Sequence, residues 1–349
     1  MYWKGGVSMK MRRVFGFTMV IIMMASLCEI QMIPEKQIIT TKVTEVSAKT
    51  TPVEQYGQLS VSGTSLLGEN GKMFMMKGVS THGLSWYPQF VDKKGFQNLR
   101  DKWKVNTIRL ALYTEEYAGY CSGGDKKKLE ELVTNGVKMA TDLGMYVIVD
   151  WHILSDGNPN THVKEAKTFF KKMSKKFKKN KNVIYEICNE PNGGTTWKDI
   201  KKYAQKVIPV IRNNSPKAII VVGTPTWSQD VDIAAKSPIK KYKNLVYSLH
   251  FYSGTHKAEL RKKAKEALEA KLPILVTEFG ITDASGNGNV NKKEANTWIK
   301  FLRKNKVGFC IWNLSNKDES SALIQANCNK TNGWSAKNLT IQGRWYKKI

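Results

Sequence analysis

Two glutamates and a set of hydrogen-bonding side chains stand at the ends of short apolar runs in this sequence. The run Val183–Cys188 finishes in Asn189-Glu190-Pro191, and the run Pro273–Phe279 carries Glu278. A charged group at the end of a buried strand is costly unless it is paired or opens onto a pocket. Other runs finish in the same way, with Arg109, with Asp150-Trp151-His152, with His250-Phe251-Tyr252 and with Trp312-Asn313. Singly, each has a plain structural explanation, such as a paired acid or a satisfied histidine. Together at one mouth they are hard to explain by packing. Two carboxylates on facing strands, with no phosphate loop and no cofactor fingerprint, suit glycoside hydrolysis. One must be neutral to protonate the leaving oxygen, and the other ionised to attack the anomeric carbon. Their surroundings must push the two pKa values apart. Arg109 beside Glu278 would keep Glu278 charged, and an apolar surround would raise Glu190.

The elements that carry these residues repeat. Strands are expected at Met73–Val79, Thr107–Leu112, Met145–Trp151, Val183–Cys188, Ala218–Gly223, Leu245–Phe251, Pro273–Phe279 and Val307–Trp312. They are near-continuously apolar, as parallel strands covered on both faces are. Helical periodicity fills most of the intervals, for example over 127–144, 197–214 and 292–305. Gly144 and Asn305 read as helix stops and Asn291 as an N-cap. Alternation of this kind predicts an α/β fold, a single (β/α)8 TIM barrel, whose chemistry lies at the C-terminal strand ends. A doubly wound open sheet is the second choice. The stretch 61–78 has strand-turn-strand character around Asn70-Gly71 and is expected to form a hairpin closing the barrel floor.

The chain has 349 residues and a formal net charge of +27. Residues 1–50 hold seven Lys/Arg and three Glu, which leaves +23 on residues 51–349. So basic a surface could draw nucleic acid or anionic polymers. The lysines fall in helix-like runs such as "KKMSKKFKKNK" (171–181), which read as a solvated outer face, and no nucleic-acid partner is expected. Residues 1–28 read as a signal peptide or anchor-like segment, with "MKMRR" (9–13) ahead of an apolar stretch short for a membrane span. Residues 29–57 read as a polar linker and 58–349 as the catalytic domain. A secreted monomer with no stable membrane association is expected. Cys188 and Cys310 lie in apolar runs and read as buried small hydrophobes. No disulfide pairing follows from spacing.

Beyond the two carboxylates, the ordered set "STHGLSWYP", "IRLALY", "VIVDWH", "IYEICNEPNG", "GTPTWSQDV", "SLHFYSGTH", "TEFGITDASGNG" and "WNLSNKDESSAL" resembles glycoside hydrolase family 5, within it the bacterial-type endo-β-1,4-glucanases. The short "NEP" motif occurs in related barrel glycosidases, whereas the ordered set runs from about 61 to 335. The resemblance implies hydrolysis of internal β-1,4-glucan bonds with retention. Glu190 would be the acid/base and Glu278 the nucleophile. Asn189 would hold the 2-hydroxyl of the sugar being cleaved, Arg109 and Tyr252 would orient Glu278, and His152 and His250 would line the cleavage subsite. Trp312 would stack under the sugar there. Sugar rings present apolar CH faces, so Trp86 and Trp227 are expected as platforms on either side. Lys317 and Glu319 would bind hydroxyls, with His82, Tyr113 and the backbone near Ala284 as further contacts. Asp150 is expected to orient its neighbours.

Alternatives remain open at this point. The same chemistry could act on mannan, xylan, xyloglucan or mixed-linkage glucan, or the barrel could bind carbohydrate without cleaving it. Asp150, His152 and His250 could be put forward as metal ligands, but the nearby Arg109 argues against a cation. Neither metal nor cofactor is expected.

Overall fold

The computed structural model describes residues 50–349, so the expected signal segment and most of the expected linker lie outside the described residues. Its elements run α1 (Pro52–Tyr56), β1 (Ser60–Ser62), β2 (Ser65–Leu67), β3 (Lys77–Thr81), α2 (Lys93–Trp103), β4 (Thr107–Tyr113), α3 (Lys126–Asp142) and β5 (Tyr146–His152). They continue with α4 (Val163–Lys176), β6 (Val183–Glu186), α5 (Trp197–Arg212), β7 (Ile220–Val222), α6 (Pro225–Ser228), α7 (Val231–Lys236) and β8 (Leu245–Tyr252). The last are α8 (Ala258–Glu269), β9 (Ile274–Gly280), α9 (Lys292–Lys304), β10 (Phe309–Leu314) and α10 (Ile341–Lys348).

Strands β3 to β10 pair in parallel in chain order, and β10 pairs back with β3, so the sheet closes. The closed barrel excludes the open doubly wound sheet. Strands β4, β5, β8, β9 and β10 are buried along their whole length, which explains their unbroken apolar runs. The helices cover the outside with one apolar face each. On α4 the buried residues are Ala166, Phe169, Phe170, Met173 and Ser174, while Lys167, Lys171, Lys172, Lys175 and Lys176 point to water. That is the solvated lysine face the sequence implies. Side-chain caps start the helices where expected: Asn291 accepts from Glu294 N, and Gly144, at φ +63°, lies just beyond the end of α3.

The floor differs from expectation in detail. The hairpin pairs β1 with β2 and turns at Gly63-Thr64, while Asn70-Gly71 makes a second reversal held by a single bridge, Leu67 to Met73. The first barrel strand begins at Lys77, because Phe74 and Met76 are used to plug the barrel floor. They pack there with Leu59, Leu66, Tyr146, Ile148, Ile184, Ile219, Val221, Val246, Leu275 and Cys310. Residues 52–57, read as the end of a linker, are a capped helical turn and a glycine bound to the body: Val53 N donates to Gly144 O, and Tyr146 Oη donates to Gly57 O. The four described cysteines are free thiols; Cys188, Cys310 and Cys328 are buried. Among the described residues no helix is long and apolar enough to cross a membrane.

Candidate active site

At the C-terminal end of the strands lies a cleft of about 660 Å³. Strand register brings the polar residues together there. Asp150 on β5 pairs with Glu186 on β6, and His250 on β8 pairs with Glu278 on β9. Between Ser248–His250 and Leu275–Glu278 the register slips by one residue, so β9 carries a bulge. An extra residue re-aims side chains, and both Thr277 and Glu278 make hydrogen bonds into the barrel.

Arg109 is the hub. It is fully buried, and besides a 3.3 Å contact from Nη1 to Ser80 Oγ its fork reaches four further groups. Nε reaches Glu186 Oε2 at 2.8 Å, Nη1 reaches Glu278 Oε2 at 3.0 Å, and Nη2 reaches Asn189 Oδ1 at 2.6 Å and Asp150 Oδ2 at 3.0 Å. One guanidinium thus serves three carboxylates, a use that its fixed fork allows and a lysine would not. Glu278 Oε1 also accepts from the Tyr252 hydroxyl at 2.8 Å. Both of its oxygens therefore meet donors, the setting of an ionised carboxylate. Burial raises the Glu278 carboxyl above its usual value, and Arg109 opposes that rise.

Glu190 sits differently. Its Oε1 is 2.8 Å from His250 Nδ1, and among the described residues no lysine or arginine is paired with it. Burial pushes its carboxyl up to about 8, with Arg109 opposing. Burial also lowers His250 to about 4 and His152 to about 3, so both imidazoles are neutral around pH 7. One oxygen of Glu190, one of Glu278 and a ring nitrogen of His250 lie within 4.8 Å of one another. Such a trio could be proposed for a cation, but Arg109 already neutralises Glu278 and would repel one.

The remaining predicted residues surround this pair. His152 Nδ1 bonds Asp150 Oδ2 at 2.6 Å, and its Nε2 faces Asn189 Nδ2 at 3.2 Å, so Asp150 fixes the His152 tautomer. The ring of Trp312 lies against His152, centroids 5.2 Å apart and nearly parallel. Trp86 packs on Tyr113 and donates from Nε1 to Tyr117 O. His82 Nδ1 accepts from Gly83 N, which turns Nε2 towards Glu319 at 3.9 Å. Glu319 binds Lys317 Nζ at 2.6 Å and Asn313 Nδ2 at 2.9 Å. Ala284 lies on the rim.

Trp227 comes from α6, where Thr226, Trp227 and Ser228 all take positive φ of 54–56°. Side chains other than glycine rarely adopt this backbone. Trp227 N donates to Pro191 O and Ser228 Oγ to Asn189 O, so the turn is anchored on the segment that carries Glu190. It leaves the indole 44% exposed in the cleft.

Several residues escaped the sequence reading. Glu116, Leu154, Gln229, His256 and Ser285 line the cleft from loops, whose positions no periodicity marks. Glu186 lies inside an apolar strand; its signal was an acid at a position where the chain has no surface to offer.

The family profile "Cellulase (glycosyl hydrolase family 5)" matches residues 67–318. The chain is 46% identical over 296 residues to endoglucanase A of Butyrivibrio fibrisolvens, covering 84% of this chain and 68% of that one. It is 49% identical over 293 residues to an endoglucanase of Clostridium saccharobutylicum, covering 84% and 64%. It thus spans about two thirds of the length of these relatives. Among solved structures, the catalytic domain of a Thermobifida fusca endoglucanase in complex with cellotetraose superposes with a TM-score of 0.81 at 36% identity, covering 85% of this chain and 98% of that one.

Proposed function

The chain belongs to the cellulases of glycosyl hydrolase family 5 and is a glycoside hydrolase, and on that premise we propose that it cleaves internal β-1,4-glucan bonds by double displacement. The observation that carries this is the pair Glu190 and Glu278: close enough for retention, and placed in opposite settings. Glu278 attacks the anomeric carbon while Glu190 gives its proton to the departing glycosidic oxygen. A covalent glycosyl ester on Glu278 results. Glu190, now ionised, takes a proton from water as that water attacks the same carbon, and Glu278 leaves as carboxylate. Two inversions give net retention.

Arg109 and Tyr252 orient Glu278 through the contacts already described. Asn189 offers Nδ2 to the 2-hydroxyl, whose oxygen would replace the 3.2 Å contact to His152. Trp312 with His152 floors the cleavage subsite, and Trp86 and Trp227 stack sugars on either side. Lys317, Glu319, His82, Tyr113 and the Ala284 backbone meet hydroxyls. The catalytic domain is residues 58–349 together with the α1 turn. Export is supported by the basic and apolar segment at 9–27.

The test is reducing-sugar release by the full chain from a soluble β-1,4-glucan, beside mannan and xylan and without added metal. Rapid release from glucan with falling chain length is expected. Faster release from mannan or xylan would reassign the substrate.

A further inference from the structure

Behind Glu190 a line of hydrogen bonds runs back into the barrel and ends on a carboxylate that the reaction above does not use. Glu190 Oε1 meets His250 Nδ1 at 2.8 Å. The other ring nitrogen, Nε2, lies 2.9 Å from Thr277 Oγ1. Thr277 Oγ1 donates to Glu186 Oε1 at 2.6 Å. Glu186 Oε2 accepts a hydrogen bond from Arg109 Nε at 2.8 Å. Every member is buried, and the inner ones have no water to turn to.

Counting hydrogens fixes the state of this line. Three links need three hydrogens. The threonine hydroxyl supplies one and a neutral imidazole supplies one. The third must be a carboxyl proton, on Glu190 or on Glu186. Burial raises the Glu186 carboxyl, but the Arg109 Nε contact at 2.8 Å opposes it and makes Glu186, rather than Glu190, the ionised end. Thr277 then donates to Glu186, His250 donates from Nε2 to Thr277, and His250 Nδ1 is left as an acceptor. With the Thr277 hydrogen given to Glu186, the contact between the two hydroxyls requires Ser248 Oγ to donate to the second lone pair of Thr277.

We propose that Glu186, acting through Thr277 and His250, is a positioning residue that keeps the catalytic proton on Glu190. The proposal rests on Glu190 being the acid/base. Once Glu190 has protonated the leaving oxygen, the line is one hydrogen short. Either Glu190 faces a bare His250 Nδ1, or Glu186 loses the Thr277 hydroxyl. Both defects favour recovery of a proton, which the attacking water supplies. The same line therefore serves both halves of the cycle.

The charged and titratable groups near it are Arg109 and Tyr113 on β4, Asp150 and His152 on β5, Cys188 just after β6, Tyr252 on β8, Glu278 on β9 and Cys310 on β10. Burial, which holds Glu190 near 8 and His250 near 4, agrees with a neutral Glu190–His250 pair. Thr277 is uncharged, so changing it alters none of these charges.

The variants Glu186→Gln, Thr277→Val and Thr277→Ser test it, with kcat/KM followed against pH on soluble glucan and on an aryl cellobioside with an activated leaving group. In Glu186→Gln the amide oxygen must face Arg109, so its NH2 faces Thr277. Every link turns round, and His250 Nδ1–H then favours Glu190 as carboxylate. Thr277→Val cuts the line, and Thr277→Ser keeps it. The expected result for Thr277→Val is an alkaline limb moved down by roughly one pH unit. Its loss on glucan should be roughly tenfold, with much less on the aryl substrate. Glu186→Gln should move the limb at least as far, and Thr277→Ser should match the unaltered chain. An unmoved limb in Thr277→Val, equal losses on both substrates, or no rescue by serine would overturn the proposal. If Glu186→Gln does not fold, the threonine pair decides alone. Glu190→Gln, run beside them, separates the two ideas. A leaving-group difference there with an unmoved limb in Thr277→Val sinks only the relay. No such difference sinks the acid role itself, and the relay with it.

Discussion

At the N-terminal end of the barrel Ile148, Ile184, Val246 and Leu275 fill the interior, and two residues further along the same strands stand Asp150, Glu186, Ser248 and Thr277. The side-chain period of a strand is two, so these are successive layers of one inward face. The lower layer is apolar and capped by Phe74 and the β1–β2 hairpin. The upper layer is a network of buried acids around one arginine. Burying apolar surface stabilises a fold, whereas burying ions seldom does, because desolvation offsets their attraction. The floor therefore holds the molecule together, and the mouth spends part of that stability on groups poised for proton transfer and attack. The contrast extends to partners. The floor residues form one apolar cluster, while Glu190, Glu278, His152 and His250 at the mouth line the cleft.

If this division is right, changes at the mouth alter turnover and leave the fold intact, and changes at the floor do the reverse. The largest effect on turnover is expected from Glu278→Gln, which keeps the shape and removes the nucleophile. Its loss should be on the order of a thousandfold or more on every substrate, with an unchanged circular dichroism spectrum. Near-normal turnover would break the assignment. Next comes Glu190→Gln, with a loss on glucan of about 10²–10⁴-fold and a smaller one on an activated aryl glycoside. The unaltered enzyme should lose kcat/KM as pH rises through about 8, because the active form of Glu190 is the protonated one and burial raises its carboxyl to that value. The alkaline fall should vanish in Glu190→Gln. The smallest effect on turnover belongs to Phe74→Ala. It should lower stability by about 3–5 kcal/mol in a denaturant titration, with kcat nearly unchanged well below the unfolding midpoint. A large fall in kcat there would mean that floor and mouth are coupled.

The two regions were unequally visible in the sequence. The mouth announced itself, since acids, histidines and an arginine at the ends of apolar runs have few structural uses. Thirteen of the fifteen residues expected there line the cleft, and the other two, Arg109 and Asn189, bond to Glu278 and His152, which do. The floor was less visible, because apolar residues in an apolar run carry no mark of which layer they fill. That is why Met73–Met76 was read as strand when it serves as plug and connector, and why the hairpin turn was placed at Asn70-Gly71 rather than Gly63-Thr64. Helix α1 was lost in a Thr-rich polar stretch, although Thr51 and Glu54 form a capping box at its start. Thr277 was hidden for another reason. Alternation marks Glu186 as inward, but the bulge in β9 lets neighbours Thr277 and Glu278 both face in, and no period predicts a bulge.

The claim at the centre of this account is that Glu190 and Glu278 act as a retaining pair. It is tested most directly by proton NMR of the first sugars released from a soluble β-1,4-glucan, before mutarotation sets in. The β-anomer should appear first and the α-anomer only later. An α-anomer formed first would mean direct displacement by water, and would contradict the nucleophilic role of Glu278.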